Sequence, residues 1–142
     1  MATERSATAT WHGDLMSGSG EIDEVPSGAF GPLQVTWKSR AEESEGRTSP
    51  EELLAAAHAT CFAMALAHGL AQSGHAPDRL QTAATVTFVP GTGVTRSALS
   101  VVGSVPGVSA EEFTAAAEDA KENCPVSKAL GGVEKTLDAR LQ

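Results

Sequence analysis

Cysteine is scarce in this chain, with two in 142 residues. Two are too few for a disulfide-stapled secreted domain or for a four-cysteine zinc site within one chain. Positive charge is scarce as well: Lys+Arg number 10 against 18 Asp+Glu, a net charge of -8. Binding to nucleic acid or to an anionic membrane needs a basic face, so this balance disfavours both as partners. Charged residues total 20% and hydrophobic ones 41%, so the composition is that of a globular core and not of a disordered segment. The opening residues, Met1 to Thr10, lack the apolar block of a secretory leader and read as frayed. The expectation is a cytoplasmic protein. Structural disulfides are rare there, and a cysteine pair is redox-active, catalytic or simply buried. The length predicts one domain over residues 1–142, and there is no internal repeat or low-complexity tract.

One run has no charge at all. Leu53 to Ala71 contains no Asp, Glu, Lys or Arg. Its length would reach across a bilayer. Alanine dominates it, and His58, Thr60, His68 and Gly69 interrupt it, so its insertion energy is poor. A helix apolar on every side is otherwise buried in protein. A chain of this size rarely surrounds a long helix alone, which points to a second subunit that helps to cover it.

Local signals divide the rest. Trp11–Met16, Gly20–Val25 and Phe30–Lys38 read as up to three strands of an antiparallel meander, followed by a charged loop over 41–47. Ser49, Pro50 and Glu52 form an N-cap, a first-turn proline and a capping box, and Gly74 with Pro77 closes the far end. The predicted helix runs to Ser73, about 36 Å at about 1.5 Å per residue. Leu80–Val89 and Val94–Val105 flank Pro90–Gly93 as a hairpin rich in β-branched residues. Ser109 and Glu112 box a second helix that reaches about Glu122, and a short helix follows Pro125 as far as Leu130. Val133–Leu141 alternates as a last strand. Strands, helix, strands, helices and strand without a βαβ period predict an α+β fold.

The candidate chemistry is sulfur. Cys61 and Cys124 are equally compatible with small buried hydrophobes. Cys124, however, precedes Pro125 at the cap of the short helix, where amide N–H groups favour a thiolate. Cys61 is mid-helix, where burial raises a thiol pKa, so its reactivity requires a cation from elsewhere. His58, three residues before Cys61, shares its helix face. A cysteine–histidine nucleophile pair and a zinc site of His58, Cys61 and Cys124 are alternatives, the latter needing a fourth ligand. A core histidine with one hydrogen bond is the plainer expectation. His12, His68 and His75 show no ligand spacing. Glu52 has its capping role, whereas Glu51 has little local task beyond the helix N-terminus. Glu42, Glu43 and Glu45 read as a solvated loop, with Arg40 and Arg47 as its neighbouring cations.

Two segments carry a family resemblance. Ser49-Pro-Glu-Glu-Leu-Leu-Ala-Ala-Ala-His-Ala-Thr-Cys61-Phe-Ala-Met-Ala-Leu66 and Glu122-Asn-Cys-Pro-Val-Ser-Lys-Ala-Leu130 resemble the signatures of the OsmC/Ohr thiol peroxidases, the second nearer the OsmC branch. Trp11-His-Gly-Asp14 and Thr136-Leu-Asp-Ala-Arg140 also fit, so the resemblance spans nearly the whole chain. It implies an OsmC-like fold, with antiparallel sheets wrapped around long central helices in an intertwined homodimer. It further implies reduction of organic hydroperoxides, and less efficiently of hydrogen peroxide. No metal or other cofactor is implied, and the reductant is an external dithiol of lipoyl type. Position by position, Cys61 matches the peroxidatic cysteine, Cys124 the resolving one, Glu51 the family glutamate and Arg40 the family arginine. The loop from Arg40 to Pro50 is slightly longer than the family pattern, which keeps Arg47 as the second candidate.

Charge assigns the implied roles. The Cys61 thiolate attacks a peroxide oxygen and becomes a sulfenic acid. Arg40 stabilises the thiolate and the leaving oxygen. A nearby carboxylate alone would raise the thiol pKa, so Glu51 serves by holding the guanidinium. Cys124 then closes a disulfide with Cys61. Glu51 and Cys61 lie about 15 Å apart along one helix, too far for contact within a chain. Antiparallel packing of two such helices would bring Glu51 of one subunit to Cys61 of the other. Phe62, Met64 and Leu54 are candidates for the wall of an alkyl pocket, with a core role equally open.

Overall fold

A computed structural model describes all residues, 1–142, in two compact units, Met1–Pro50 and Glu51–Gln142. In the first unit β1 (Ala9–His12), β2 (Ser19–Ile22) and β3 (Leu33–Val35) form an antiparallel sheet in sequence order. Pairing begins at Ala9 opposite Ile22, which corrects the expectation that residues 1–10 are frayed throughout. The third strand is shorter than the alternation predicts, because a helix, α1 (Trp37–Ala41), replaces its end. Its cause is local. Thr36 Oγ1 accepts from the Ser39 amide at 3.0 Å, and Ser39 Oγ accepts from the Thr36 amide at 2.9 Å. A reciprocal box of this kind satisfies the first-turn amides and stops the strand.

The second unit is organised around α2 (Pro50–Gln72), whose bounds agree with the punctuation in the sequence. Strand β4 (Arg79–Val89) and strand β5 (Gly93–Ser104) make the expected hairpin. Helix α3 (Ala110–Asn123) starts at Ser109 with the expected box to Glu112. Helix α4 (Pro125–Ala129) and strand β6 (Glu134–Leu141) complete the chain. β6 runs parallel to β5, so this sheet, in the order β4-β5-β6, is mixed and not wholly antiparallel as expected. A parallel neighbour requires a crossover, and α3 with α4 supply it.

Period-two burial on β5 turns Ser97, Leu99, Val101 and Gly103 inward. Of these, Leu99 and Val101 meet Phe62, Leu66 and Leu70 of α2 and Phe113, Ala117 and Ala120 of α3 in one apolar cluster. Gly103 is required there, since a Cβ would lie 2.5 Å from Phe113 Cζ. By length and composition α2 could cross a membrane. It buries one row, His58, Phe62, Leu66 and Leu70, at four-residue spacing. The row Glu52, Ala56, Thr60, Met64 and His68, about 200° round the helix, is exposed. An apolar helix with one covered face matches the expectation of incomplete covering by its own chain.

Candidate active site

Cys124 stands at a junction of two helices, as C-cap of α3 and N-cap of α4. Its backbone is extended (φ -63°, ψ 139°), and Pro125 takes the first position of α4, where a missing N–H costs nothing. The Cys124 thiol replaces the usual capping hydroxyl. The Ser127 amide donates to Sγ at 3.3 Å, and Sγ lies 3.2 Å from Ser127 Oγ as a donor. Cys124 is fully buried and is not in a disulfide.

Cys61 is half-buried at the middle of α2 and packs against the apolar cluster. The Cys124 side chain is within hydrogen-bonding reach of it, although 63 positions separate the two in sequence. Burial pushes the Cys61 thiol above its ordinary value. A hydrogen bond from the Val126 amide pulls it back, and the neighbouring Cys124 adds to the rise. Burial thus outweighs the one amide, and the surroundings within this unit favour the protonated thiol.

His58 is linked to the Cys124 sulfur through Ser127. It is completely buried, with Nδ1 at 2.7 Å from Ser97 Oγ and Nε2 at 2.8 Å from Ser127 Oγ. Burial, and then the charge of Lys135, hold its pKa below the ordinary histidine value, so the ring is neutral at pH 7. The sequence predicted a core histidine with one hydrogen bond; the structure provides two. With both ring nitrogens engaged by hydroxyls, the imidazole has no lone pair turned to a metal. No three His, Cys, Asp or Glu side chains gather into a metal-ligating group. Nor does His58 touch Cys61 as a nucleophile–base pair would; its path to sulfur runs through Ser127 to Cys124.

The other expected residues divide between the two units. Arg40 is half-buried on α1, its amide bonded to the Thr36 carbonyl at 3.2 Å, and is not in a loop. Arg47 is exposed and pairs with Glu45 at 3.8 Å. Glu51 is buried in the first turn of α2, at 7% exposure. The helix from Glu51 to Cys61 is unbroken, which keeps them about 15 Å apart along its axis. Of the pocket candidates, Phe62 is fully buried and cannot line an open pocket, Leu54 is half-buried and Met64 is exposed. Two residues without a role at the sequence level prove central, Ser97 and Ser127. The signal for Ser97 is its place on the apolar face of an alternating strand, where a hydroxyl requires a buried partner. The signal for Ser127 is its position three residues after the capping Cys124.

Two reduced sulfurs in mutual reach, one against an apolar core and one seated on a helix cap, define a thiol redox protein of α+β fold. The comparisons with known proteins narrow the class. The OsmC family, described as OsmC-like protein, matches residues 42–138. Peroxiredoxin OsmC of Escherichia coli K12 is 37% identical over 145 aligned positions, spanning 100% of this chain and 99% of that protein. An organic hydroperoxide resistance protein from Elizabethkingia anophelis shares the fold with a TM-score of 0.70 at 23% identity, covering 100% of both chains. An OsmC-like protein from Mycoplasma pneumoniae does so with a TM-score of 0.72 at 15% identity, covering 99% of each. The chain belongs to the OsmC family. It is a thiol-dependent peroxidase of the peroxiredoxin type.

Proposed function

We propose that this peroxidase reduces organic hydroperoxides, and hydrogen peroxide less efficiently, through a two-cysteine cycle centred on Cys61. The Cys61 thiolate attacks the distal oxygen of ROOH. The O–O bond breaks, the alkoxide leaves with the electron pair and gains a proton to give ROH, and Cys61 becomes a sulfenic acid. Cys124 attacks that sulfur, forming the Cys61–Cys124 disulfide and water. An external dithiol, lipoyl-type by the family resemblance, restores both thiols by exchange. The carrying observation is the reach between the two sulfurs. The apolar packing around Cys61 favours a substrate with an alkyl group. The name of the Elizabethkingia relative, an organic hydroperoxide resistance protein, is in keeping with that.

A guanidinium is needed because burial raises the Cys61 thiol. Arg40 is the candidate for the role: it matches the family arginine by resemblance and is half-buried, whereas Arg47 is exposed and engaged by Glu45. Glu51 orients that guanidinium through paired hydrogen bonds. Because Glu51 and Cys61 occupy separate turns of one helix, Glu51 serves the Cys61 of a second chain in an intertwined homodimer with antiparallel α2 helices. The exposed row of α2 supports this arrangement. The whole chain acts as one OsmC-like domain, without metal or cofactor, in the reducing cytoplasm. Neither nucleic acid nor membrane is a partner, in keeping with the net charge of -8.

One equivalent of cumene hydroperoxide followed by mass spectrometry tests the cycle. The expected product is a chain lighter by two hydrogens, absent in Cys61→Ser and in Cys124→Ser. Thiols unchanged after exposure would overturn the proposal.

A further inference from the structure

The two-cysteine cycle leaves a buried polar chain without a task. It runs from Ser97 on β5 through His58 on α2 and Ser127 on α4 to the Cys124 sulfur, with links of 2.7, 2.8 and 3.2 Å. All four side chains have 2% exposure or less. Burying three polar groups in an apolar cluster is costly unless each is satisfied, and here each is. Apolar residues could fill the same volume, so a polar chain here invites a role beyond packing. Its direction supplies one: the chain ends on a reacting sulfur.

We propose that Ser127 and His58 form a proton relay that activates Cys124 for its attack on the Cys61 sulfenic acid. This inference rests on the two-cysteine reading and deepens it. Cys124 Sγ–H donates to Ser127 Oγ, which leaves the serine hydrogen free for His58 Nε2 and places the ring proton on Nδ1, toward Ser97. As the S–S bond forms, the Cys124 proton passes to Ser127 and the serine proton to Nε2. The S–O bond of Cys61 breaks, and hydroxide departs with the electron pair. Ser127 Oγ then gives its hydrogen to the departing hydroxide, making water, and recovers one from His58 Nε2, which leaves the ring neutral again. The sum is one sulfenic acid and one thiol giving one disulfide and one water, with no outside oxidant.

The surroundings suit a transient acceptor. In a neutral ring Nε2 accepts the Ser127 hydroxyl hydrogen and can take it over as a proton, and a ring that is costly to charge hands that proton back instead of storing it. Lys135, whose ammonium is held by the carbonyls of Leu130 and Val133 at 2.8 Å each, is the charged group whose field reaches the imidazole. The Ser127 amide at 3.3 Å remains on Sγ to receive the developing thiolate. Cys61 takes its amide hydrogen bond from Val126 and not from Ser127. The relay therefore acts on disulfide closure and not on peroxide attack. Ser127 touches the reacting sulfur; His58 acts through it as a positioning residue.

Single-turnover kinetics on the full-length protein separate the two steps. Rapid mixing with one equivalent of cumene hydroperoxide follows its consumption, and quenched samples follow disulfide formation. In Ser127→Ala and His58→Gln, disulfide closure slows by about 10²-fold, while consumption stays within about twofold. Dimedone then traps the accumulated sulfenic acid. Ser127→Thr, which keeps the hydroxyl, restores closure, and the solvent deuterium isotope effect on closure in the native protein disappears in Ser127→Ala. Closure at the native rate in Ser127→Ala overturns the relay, as does equal slowing in Ser127→Thr or equal slowing of both steps. Should His58→Gln fail to fold, the two Ser127 variants decide the matter. A native protein that forms neither sulfenic acid nor disulfide would overturn the parent reading instead, a different result from a native cycle left intact by the substitutions.

Discussion

At the scale of single residues, the central tension is between where Cys61 sits and what it must become. A sulfur packed beside an apolar cluster is protected from water, and the same burial suppresses its thiolate. One amide does not reverse that balance and the neighbouring thiol adds to it, so the proposed cation carries the activation. The sign follows directly. Alkylation needs the thiolate, so its rate climbs as pH rises toward the thiol pKa, and removing a nearby cation moves that climb to higher pH. Arg40→Met is therefore expected to shift the pH profile of Cys61 alkylation by iodoacetamide upward. It should also lower kcat/KM for cumene hydroperoxide by about 10²–10³-fold, the usual loss on removing a charge-stabilising group. An unchanged alkylation midpoint would remove Arg40 from the site. Most of this was legible from the chain: the need for a cation followed from the mid-helix position of Cys61. The double engagement of His58 was not legible, because its partners, Ser97 and Ser127, lie 39 and 69 positions away.

At the scale of elements, capping chemistry set most boundaries. Ser109 with Glu112 bounds α3, and Cys124 with Pro125 bounds α4. The miss came at Thr36-Trp37-Lys38-Ser39. There an apolar alternation suggested continued strand, and a capping box won instead. Packing between elements is decided by fit. Gly103 lets the Phe113 ring approach β5, with Leu80 Cδ2 also 3.2 Å from where a Cβ would stand. Gly103→Val makes the test sharp because two effects oppose each other. Valine has the better strand propensity, yet its Cβ lies 2.5 Å from Phe113 Cζ. Overpacking is expected to dominate and to cost about 1–3 kcal/mol in urea or guanidinium denaturation. A stabilised variant would show that the ring moves aside freely.

At the scale of the whole molecule, α2 presents the unresolved demand for cover. Met64 is 69% exposed on a helix whose other face is in the core. Under the proposed dimer, Met64→Glu places a charge in an apolar helix–helix contact, where an unpaired carboxylate is costly. Sedimentation should show dissociation to single chains, and activity per chain should fall on dilution. A stable single chain with full activity would refute the composite site and return Glu51 to a local role.

The chain order by itself determined the boundaries of α2, α3 and α4, the β4–β5 hairpin, the capping position of Cys124 and the scarcity of positive charge. Apart from the charge count, each depends on hydrogen bonds or steric limits between residues a few positions apart. Tertiary structure alone decided that β6 lies parallel to β5 and that two serines bracket one histidine, and it supplied the contact between the sulfur of a central helix and that of a distant cap, which the sequence offered only through resemblance. Those pairings depend on which surfaces come to share a core, and burial sums over the whole unit. No short window of sequence carries that sum.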